Sequence, residues 1–360
     1  MQRKIPCVLM RGGTSRGPYF LAADLPADAA RRAAVLLSVM GSPHALQVDG
    51  IGGANTLTSK VAIISRSQQK GADVDYLFAQ VSVNEACVDT KPKCGNMLAG
   101  VGPFAIEAGL VPAGDPTTTV HIYNVNTQTL IDALIQTPGG RVEYAGDTRI
   151  DGVAEPAAPI KLTFLDALGA VTGKLLPTGS LVDQIDGVEA SCVDMAMPVM
   201  IMAAEAFGKT GRETPEELDA DQAMLKKIEA IRLEAGRRMG MGDVSRLVVP
   251  KPVLVSRPMH GGNIASRYFT PHACHRSHAV TGALALGTAA VLPGSVANRY
   301  VEPAGFSGGV LGIEHPSGRI DVDLVTDLSG AMPMVERASF VRTARRIFEG
   351  YVYVPAKLFE

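Results

Sequence analysis

Short apolar runs and amphipathic stretches follow one another along the chain and predict a mixture of strands and helices. Runs rich in β-branched and aromatic residues, bounded by Gly, Pro, Asn or Asp, predict strands at 5–10, 61–65, 76–83, 119–123 and 129–136. Apolar positions at helical spacing predict helices at 28–40, 96–108, 219–239, 278–292 and 339–350.

Two of the predicted helices are small and apolar on nearly every side, as buried central helices are. They span 97–108 and 279–291, whereas the stretch at 219–239 keeps one charged face and is expected on the surface. A strand-rich layer around each buried helix would give two halves. We place the first domain at 1–185, the second at 186–338, and a C-terminal helix and strand at 339–360 that pack back on the first domain.

The composition is that of an ordinary folded protein. With 360 residues, 46% hydrophobic and 19% charged, the chain is long and apolar enough to bury two cores without disulfides or metals. Lys and Arg number 34 against 36 for Asp and Glu, so the net charge is -2. Because nucleic-acid binders usually carry a basic excess, no nucleic-acid partner is expected.

The sequence predicts neither a membrane nor a secreted location. No apolar run reaches the roughly 18 residues that a membrane span needs, and the charged start at 1–7 lacks the apolar core of a signal peptide. The five cysteines are spread without a CxxC pair, which argues against a disulfide framework or structural zinc and favours a reducing, cytoplasmic compartment. Cys7, Cys87 and Cys192 are interpreted as core residues because their surroundings are apolar.

A glycine turn follows the first predicted strand. In Arg11-Gly12-Gly13-Thr14-Ser15 the backbone N–H groups are uncovered, with hydroxyl and guanidinium groups nearby, so the segment is suited to bind an anion. An ordinary glycine turn is the alternative interpretation. The spacing matches neither a dinucleotide fingerprint nor a phosphate-binding loop.

Lys60 lies between a polar glycine loop, which ends at Ser59, and the apolar run 61–64. Partial burial at this junction would lower the pKa of the lysine toward the range of a general base. A solvated lysine at the start of a strand is the commoner alternative.

The segment Cys94-Gly95-Asn96-Met97 opens the first buried helix. Free N–H groups and the positive end of the helix dipole favour carboxylate binding there and lower the pKa of a cysteine. The alternative is a buried structural cysteine, which is the usual role of a lone Cys.

Histidines and a cysteine cluster before the second buried helix, at His272, Cys274, His275 and His278. Zinc is the minority interpretation, because no other Cys or His cluster could complete four ligands. We expect instead that Ser277, His278 and Thr281 cap the helix, whose N–H groups would bind a second carboxylate.

Taken in order along the chain, these motifs resemble one known family. They are Arg11-Gly12-Gly13-Thr14-Ser15, Gly52-Gly53-Ala54 with Thr58-Ser59-Lys60-Val61, Cys94-Gly95-Asn96, Ala279-Val280-Thr281-Gly282-Ala283 and His315-Pro316-Ser317-Gly318. The chain resembles the methylaconitate isomerase (PrpF-type) family over nearly its whole length. Within that family it is most similar to the 4-oxalomesaconate tautomerases and allylic isomerases of protocatechuate and gallate breakdown.

The resemblance implies the diaminopimelate epimerase fold. This is an α/β (α+β) protein of two similar domains, each a β-layer wrapped around a central helix, with the active site in the cleft between them. Lys60 and Cys94 would be the catalytic acid/base residues, no cofactor or metal would take part, and a homo-oligomer is the family expectation. Substrate binding would fall to Arg11, Gly12, Gly13, Thr14, Ser15, Ser59, Gly95, Asn96, Met97, Arg276, Ser277, His278, Thr281, Gly282 and Ala283.

One departure from the wider fold family bears on mechanism. Diaminopimelate epimerases and proline racemases use a cysteine at the start of each central helix, whereas the second start here, from His278 to Gly282, has none. Cys274 lies too far upstream to be taken as its equivalent. Two-cysteine racemisation is therefore disfavoured, and proton transfer on one face by Lys60 is expected.

These inferences predict a cofactor-independent isomerase of an unsaturated tricarboxylic 2-keto acid such as 4-oxalomesaconate, in bacterial catabolism of lignin-derived aromatics. Lys60 would remove an allylic proton, and helix-end N–H groups with Arg11 or Arg276 would stabilise the dienolate. Lys60 or Cys94 would return the proton in an allylic shift, or the enol would remain in a tautomerisation. The alternatives are a 2-methylaconitate isomerase of propionate catabolism and a non-catalytic carboxylate-binding protein.

Overall fold

The computed structural model describes residues 1–90, 94–165, 167–330 and 334–360. The chain divides into two compact units, the first formed by Met1–Leu162 with Val341–Glu360 and the second by Thr163–Phe340. The segment 163–185, which the sequence analysis assigned to the first domain, groups with the second unit. There the strand Asp183–Ile185 pairs with Val188–Asp194, and Leu168 bridges Met195.

Seventeen strands and six α-helices are found in the described ranges. The strands are β1 (Gln2–Gly12), β2 (Ser15–Leu21), β3 (Lys60–Arg66), β4 (Val74–Val81), β5 (Val88–Asp89), β6 (Thr117–Asn124), β7 (Thr129–Gln136), β8 (Ile160–Phe164), β9 (Asp183–Ile185), β10 (Val188–Asp194), β11 (Pro198–Ala203), β12 (Lys251–Ser256), β13 (Ile264–Tyr268), β14 (Gly309–His315), β15 (Gly318–Asp327), β16 (Met334–Arg342) and β17 (Ala344–Pro355). The helices are α1 (Ala29–Met40), α2 (Gly95–Leu98), α3 (Val101–Glu107), α4 (Pro215–Ala220), α5 (Gln222–Arg238) and α6 (Val280–Ala290).

The two units repeat one order of strand pairing. In the first unit, β1–β2, β3–β4 and β6–β7 pair antiparallel, whereas β2–β3 and β4–β6 pair parallel. In the second unit, β10–β11, β12–β13 and β14–β15 pair antiparallel, whereas β11–β12 and β13–β14 pair parallel. Helices occupy both parallel crossovers of each unit, because parallel neighbours need a long connection. The expectation of two similar α/β domains is therefore confirmed.

Each unit buries an amphipathic helix against its sheet. In the first unit the apolar face of α1 packs against side chains of β2, β3 and β4, in a cluster that includes Val35, Leu36, Val39, Met40, Phe20, Val61, Ile63 and Ala79. In the second unit the apolar face of α5 packs against side chains of β10, β11 and β12 through Met224, Ile228, Ile231 and Ala235.

The face of α5 that was expected to be charged and solvated contains one exception, Arg232, which is fully buried. Its guanidinium forms two bonds of 2.6 and 2.8 Å with the carboxylate of Glu229. The remaining N–H groups donate to the carbonyls of Val244, Leu247 and Val249 at 3.0–3.1 Å. Burial is tolerated because every donor direction has an acceptor.

The central helices differ in regularity. Helix α6 is buried from Thr281 to Ala290, as its all-round apolar sequence predicts. The predicted helix at 96–108 is instead two pieces, α2 and α3, that break at Ala99–Gly100. Pro103 explains the break, because a proline ring clashes with the carbonyl four residues before it, here that of Ala99.

The predicted helix at 339–350 is wrong. The end of β16 and most of β17 occupy this segment, and β17 pairs antiparallel with β1 from Ala344 opposite Gly12 to Pro355 opposite Gln2. Pairing with a strand at the other end of the sequence overrides the local helical pattern. Strand β17 thereby belongs to the first unit.

Two smaller findings concern the length of the helices and the burial of the cysteines. Within the described ranges, none of the helices combines the length and apolarity that crossing a membrane requires. Cys7 and Cys192 are buried as expected, but Cys87 is exposed, in a turn where its N–H donates to Glu85.

Candidate active site

Cys94 forms the N-cap of α2 in the first unit. It is 8% exposed, and its Sγ accepts the N–H of Met97 at 3.5 Å. Two buried tyrosines hold the backbone on either side: Tyr76 donates to the Cys94 carbonyl at 3.4 Å, and Tyr19 donates to the Met97 carbonyl at 2.5 Å. Burial is the larger cause and the proximity of Cys94 the next that raise the pKa of both phenols well above the usual value. Both hydroxyls therefore remain donors. The thiol therefore lies on a rigid support.

The glycine turn packs directly on this helix start. A Cβ atom at Gly12 would lie 2.5 Å from the Asn96 carbonyl, and one at Gly13 would lie 2.3 Å from Asn96 Oδ1. The side chain of Asn96 reaches across to Thr14 Oγ1 at 3.0 Å. Asn96 Oδ1 and the Oγ of Ser15 are buried polar atoms with no hydrogen-bond partner among the described residues. Glycine is required here by the close approach of the two segments, and unsatisfied polar atoms remain beside the cysteine.

Lys60 begins β3, directly opposite Gln80 of β4. Its half-buried ammonium donates to Gln80 Oε1 at 2.5 Å and lies 5.2 Å from the centre of the Phe78 ring. Because side chains two apart in a strand share a face, Tyr76, Phe78 and Gln80 form one row. The row contacts Cys94 at one end and Lys60 at the other, so both acid/base candidates adjoin a single face of β4 in the first unit.

Two of the expected substrate-binding side chains have internal partners. The guanidinium of Arg11 donates to the carbonyls of Gly13 and Thr343 and to the Thr343 hydroxyl at 2.9–3.0 Å. Burial, and then the nearby Arg345, lowers its pKa. The hydroxyl of Ser59 accepts a hydrogen bond from Gln47 Nε2 at 2.7 Å. Both residues thus brace the loops that carry the site.

The second unit collects the remaining predicted residues at the start of α6. The N-cap is Ala279, with no side-chain capping bond, so the expectation that Ser277, His278 and Thr281 cap the helix is wrong. The ring of His278 instead bonds the Ala279 carbonyl at 2.9 Å and Ser266 Oγ at 3.1 Å. Burial lowers the pKa of His278 to about 3, so the ring is neutral.

Tyr268 forms the wall behind this helix start. A Cβ atom at Gly282 would lie 2.2 Å from its ring, which is why the position holds glycine. The Tyr268 hydroxyl and the Thr281 hydroxyl both reach Met197 Sδ, at 3.1 and 3.8 Å. Ala283, which follows Gly282, is fully buried in α6.

The residues before His278 have partners within the second unit. Arg276 is largely exposed and pairs with Glu216, while the Ser277 N–H donates to His275 Nδ1 at 3.0 Å. Burial raises the pKa of Cys274 to about 12, so its thiol is protonated. Among the residues that the structure describes, no three His, Cys, Asp or Glu side chains converge on a common point as metal ligands would.

Comparison with known proteins identifies the family of this chain. A family model described as PrpF protein matches residues 2–355. The chain belongs to the PrpF family. The crystal structure of a methylitaconate-delta-isomerase is similar with a TM-score of 0.88 and 38% identity, covering 100% of this chain and 97% of that one. The fold class expected from the sequence is therefore confirmed.

Named relatives of this PrpF-family chain are isomerases. It is 52% identical to 4-oxalomesaconate tautomerase of Pseudomonas putida, over 98% of this chain and 97% of the relative. It is 49% identical to (4E)-oxalomesaconate Delta-isomerase of a Novosphingobium species, over 97% of each. At this identity over full length the chain is an isomerase, as predicted.

Sequence reasoning did not assign Gln80, Tyr19 or Tyr76 to the site of this PrpF-family chain. A signal was available for two of them, because the alternating pattern of β4 places Tyr76, Phe78 and Gln80 on one face. Which face meets Lys60 depends on the register between β3 and β4, which local patterns do not specify.

Proposed function

We propose that the protein moves a proton within an unsaturated tricarboxylic 2-keto acid of the 4-oxalomesaconate kind, in bacterial catabolism of lignin-derived aromatics. The observation that carries the proposal is the placement of Lys60 and Cys94 along one face of β4, with buried polar atoms unsatisfied beside the cysteine. An amine and a thiol can act as the base and the acid of such a proton transfer.

The neutral amine of Lys60 would accept a proton from the carbon next to the conjugated system. The electrons of the broken C–H bond would move into the conjugated carbonyl and give a dienolate. Lys60 would then add the same proton at another carbon or at oxygen. If Cys94 donates instead, its thiolate regains a proton from solvent while Lys60 releases the abstracted proton to solvent. The substrate neither gains nor loses electrons overall, and its atoms are conserved.

The turn beside Cys94 supplies groups that suit a carboxylate. The hydroxyl of Ser15 is free to donate, and the amide of Asn96 offers one atom that Thr14 does not use. A Thr hydroxyl both donates and accepts, so the free amide atom can be the nitrogen when a substrate carboxylate is present. Satisfying buried polar atoms only upon binding favours a polar ligand over an apolar one.

The test is proton NMR in deuterated buffer with 4-oxalomesaconate and, separately, with 2-methylaconitate. We expect solvent deuterium to enter 4-oxalomesaconate or its shifted product, and Lys60→Met to abolish this exchange. Lys70→Met is the matched control, because Lys70 is exposed in a turn. Exchange with 2-methylaconitate alone would assign the protein to the alternative substrate, and no exchange with either would refute the proposal. Undiminished exchange by Lys60→Met would exclude the lysine as base.

A further inference from the structure

We propose that Gln80 is a positioning residue that holds the amine of Lys60 at the site. The two residues are direct cross-strand partners in the antiparallel pair β3–β4, and Lys60 Nζ lies 2.5 Å from Gln80 Oε1. The inference rests on the proposed function for its catalytic consequence, but the contact itself does not.

The orientation of the Gln80 amide is fixed by its second set of contacts. Its Nε2 donates to the carbonyls of Ser59 at 2.8 Å and Thr56 at 3.2 Å. Carbonyl oxygens only accept, so the nitrogen must face the loop and the oxygen must face Lys60. An amide flip would place the single Oε1 acceptor against two carbonyl acceptors and would lose both bonds.

The surroundings of Lys60 indicate that the Gln80–Lys60 hydrogen bond restrains the lysine side chain. The Phe78 ring lies on one side of the Lys60 head group, with Nζ 5.2 Å from the ring centre, and holds that head group while it is protonated, before it loses its proton to act as the base. A free lysine side chain loses rotamer entropy when it is held in one place. Gln80 confines the amine before substrate arrives, and a base held in a reactive position can gain orders of magnitude in rate.

Gln80 also ties the end of the glycine loop to β4. The same amide donates to the carbonyls of Thr56 and Ser59, and Ser59 immediately precedes Lys60 in the chain. One side chain therefore contacts both the backbone before Lys60 and the head group of the lysine. Loss of its hydrogen bonds should affect the rate of proton transfer more than substrate affinity.

The kinetic test compares wild type, Gln80→Met and Gln80→Glu. Gln80→Met keeps the length of the side chain but removes its hydrogen bonds, and we expect kcat to fall about 100-fold with KM within about twofold. Gln80→Glu places a carboxylate beside the amine, which must be neutral to accept a proton. The rising limb of the pH–rate profile should therefore move upward by about one to three pH units. A residue that did not contact the amine would not move this limb.

Controls separate failure of this inference from failure of the proposed function. Gln184→Met, at the exposed position of strand β9, should leave all parameters unchanged. Wild-type kcat in Gln80→Met together with an unmoved limb in Gln80→Glu would overturn the inference. A substrate-free measurement also decides it: 13C relaxation of Lys60 Cε should show a restrained side chain in wild type and a mobile one in Gln80→Met. Equal mobility in both would overturn the inference even if the wild type turned over neither substrate.

Discussion

Acidification is expected to destabilise the second unit through one buried imidazole, that of His278. The ring is 6% exposed, and its Nδ1 faces the Ala279 carbonyl while its Nε2 faces Ser266 Oγ. Because a carbonyl only accepts, the hydrogen is on Nδ1, and Nε2 accepts from the serine hydroxyl. A second proton on Nε2 would break that bond and leave a buried charge near the rings of His275 and His315.

The size of the effect follows from the pKa. Burial lowers it from 6.5 to about 3, so between those values the unfolded chain binds one more proton than the folded one. Stability is therefore lost as the pH falls through this window, by about 1.4 kcal/mol per pH unit. Between pH 7 and pH 5 the contribution of His278 to this loss is about 2 kcal/mol.

The assay is urea unfolding at pH 7 and pH 5 for wild type, His278→Gln and His44→Gln. The variant without the buried imidazole should lose about 2 kcal/mol less free energy of unfolding than wild type over this interval. Replacement of the exposed His44 should give the wild-type loss. NMR of the folded protein provides the direct check, since the His278 ring should remain neutral at pH 5. Titration near pH 6.5 in the folded protein, or an equal loss in wild type and His278→Gln, would refute the reasoning.

Two further substitutions test the packing around the site and the core. Gly17→Ala should lower the free energy of unfolding by about 3 kcal/mol and impair turnover, because its Cβ would lie 1.8 Å from the Lys60 carbonyl. Gly287→Ala in α6, with no atom closer than 3.3 Å, should be tolerated in the same urea titration, and equal effects would contradict the argument. Arg232→Met should cost about 3–5 kcal/mol by breaking a buried ion pair, whereas the exposed Arg237→Met should cost less than about 1 kcal/mol. A small loss for Arg232→Met in calorimetry would show that the buried pair contributes little.

Local sequence patterns were sufficient to predict the helices that bury one face or every face. Helix α1 was predicted at 28–40 and observed at Ala29–Met40, where Gly41 in a left-handed conformation ends it. Helix α6 was recognised as buried because its residues are apolar all round. The cysteine at the start of a buried helix was also evident, because a polar segment entering an apolar helix is a local feature.

Other features depended on partners that are distant in sequence. The pattern at 339–350 predicted a helix, but its backbone hydrogen bonds go to β1 at the opposite end of the chain. Arg232 looked like part of a solvated face, and it is buried because the carbonyls of a later loop receive its donors. The break between α2 and α3 did have a local signal in Pro103, which the apolar periodicity concealed.

The amino-acid sequence by itself determined the family, the chemical identity of the acid/base candidates and the type of most helices and strands. These depend on residue type and on spacing within a few positions of the chain. The tertiary structure alone decided that Gln80 faces Lys60, that Tyr76 and Tyr19 hold the Cys94 segment, and that Arg11 and Ser59 act as braces. These contacts follow from strand register and from the approach of distant segments, and each requires an acceptor that only the folded chain brings within 3.5 Å of its donor.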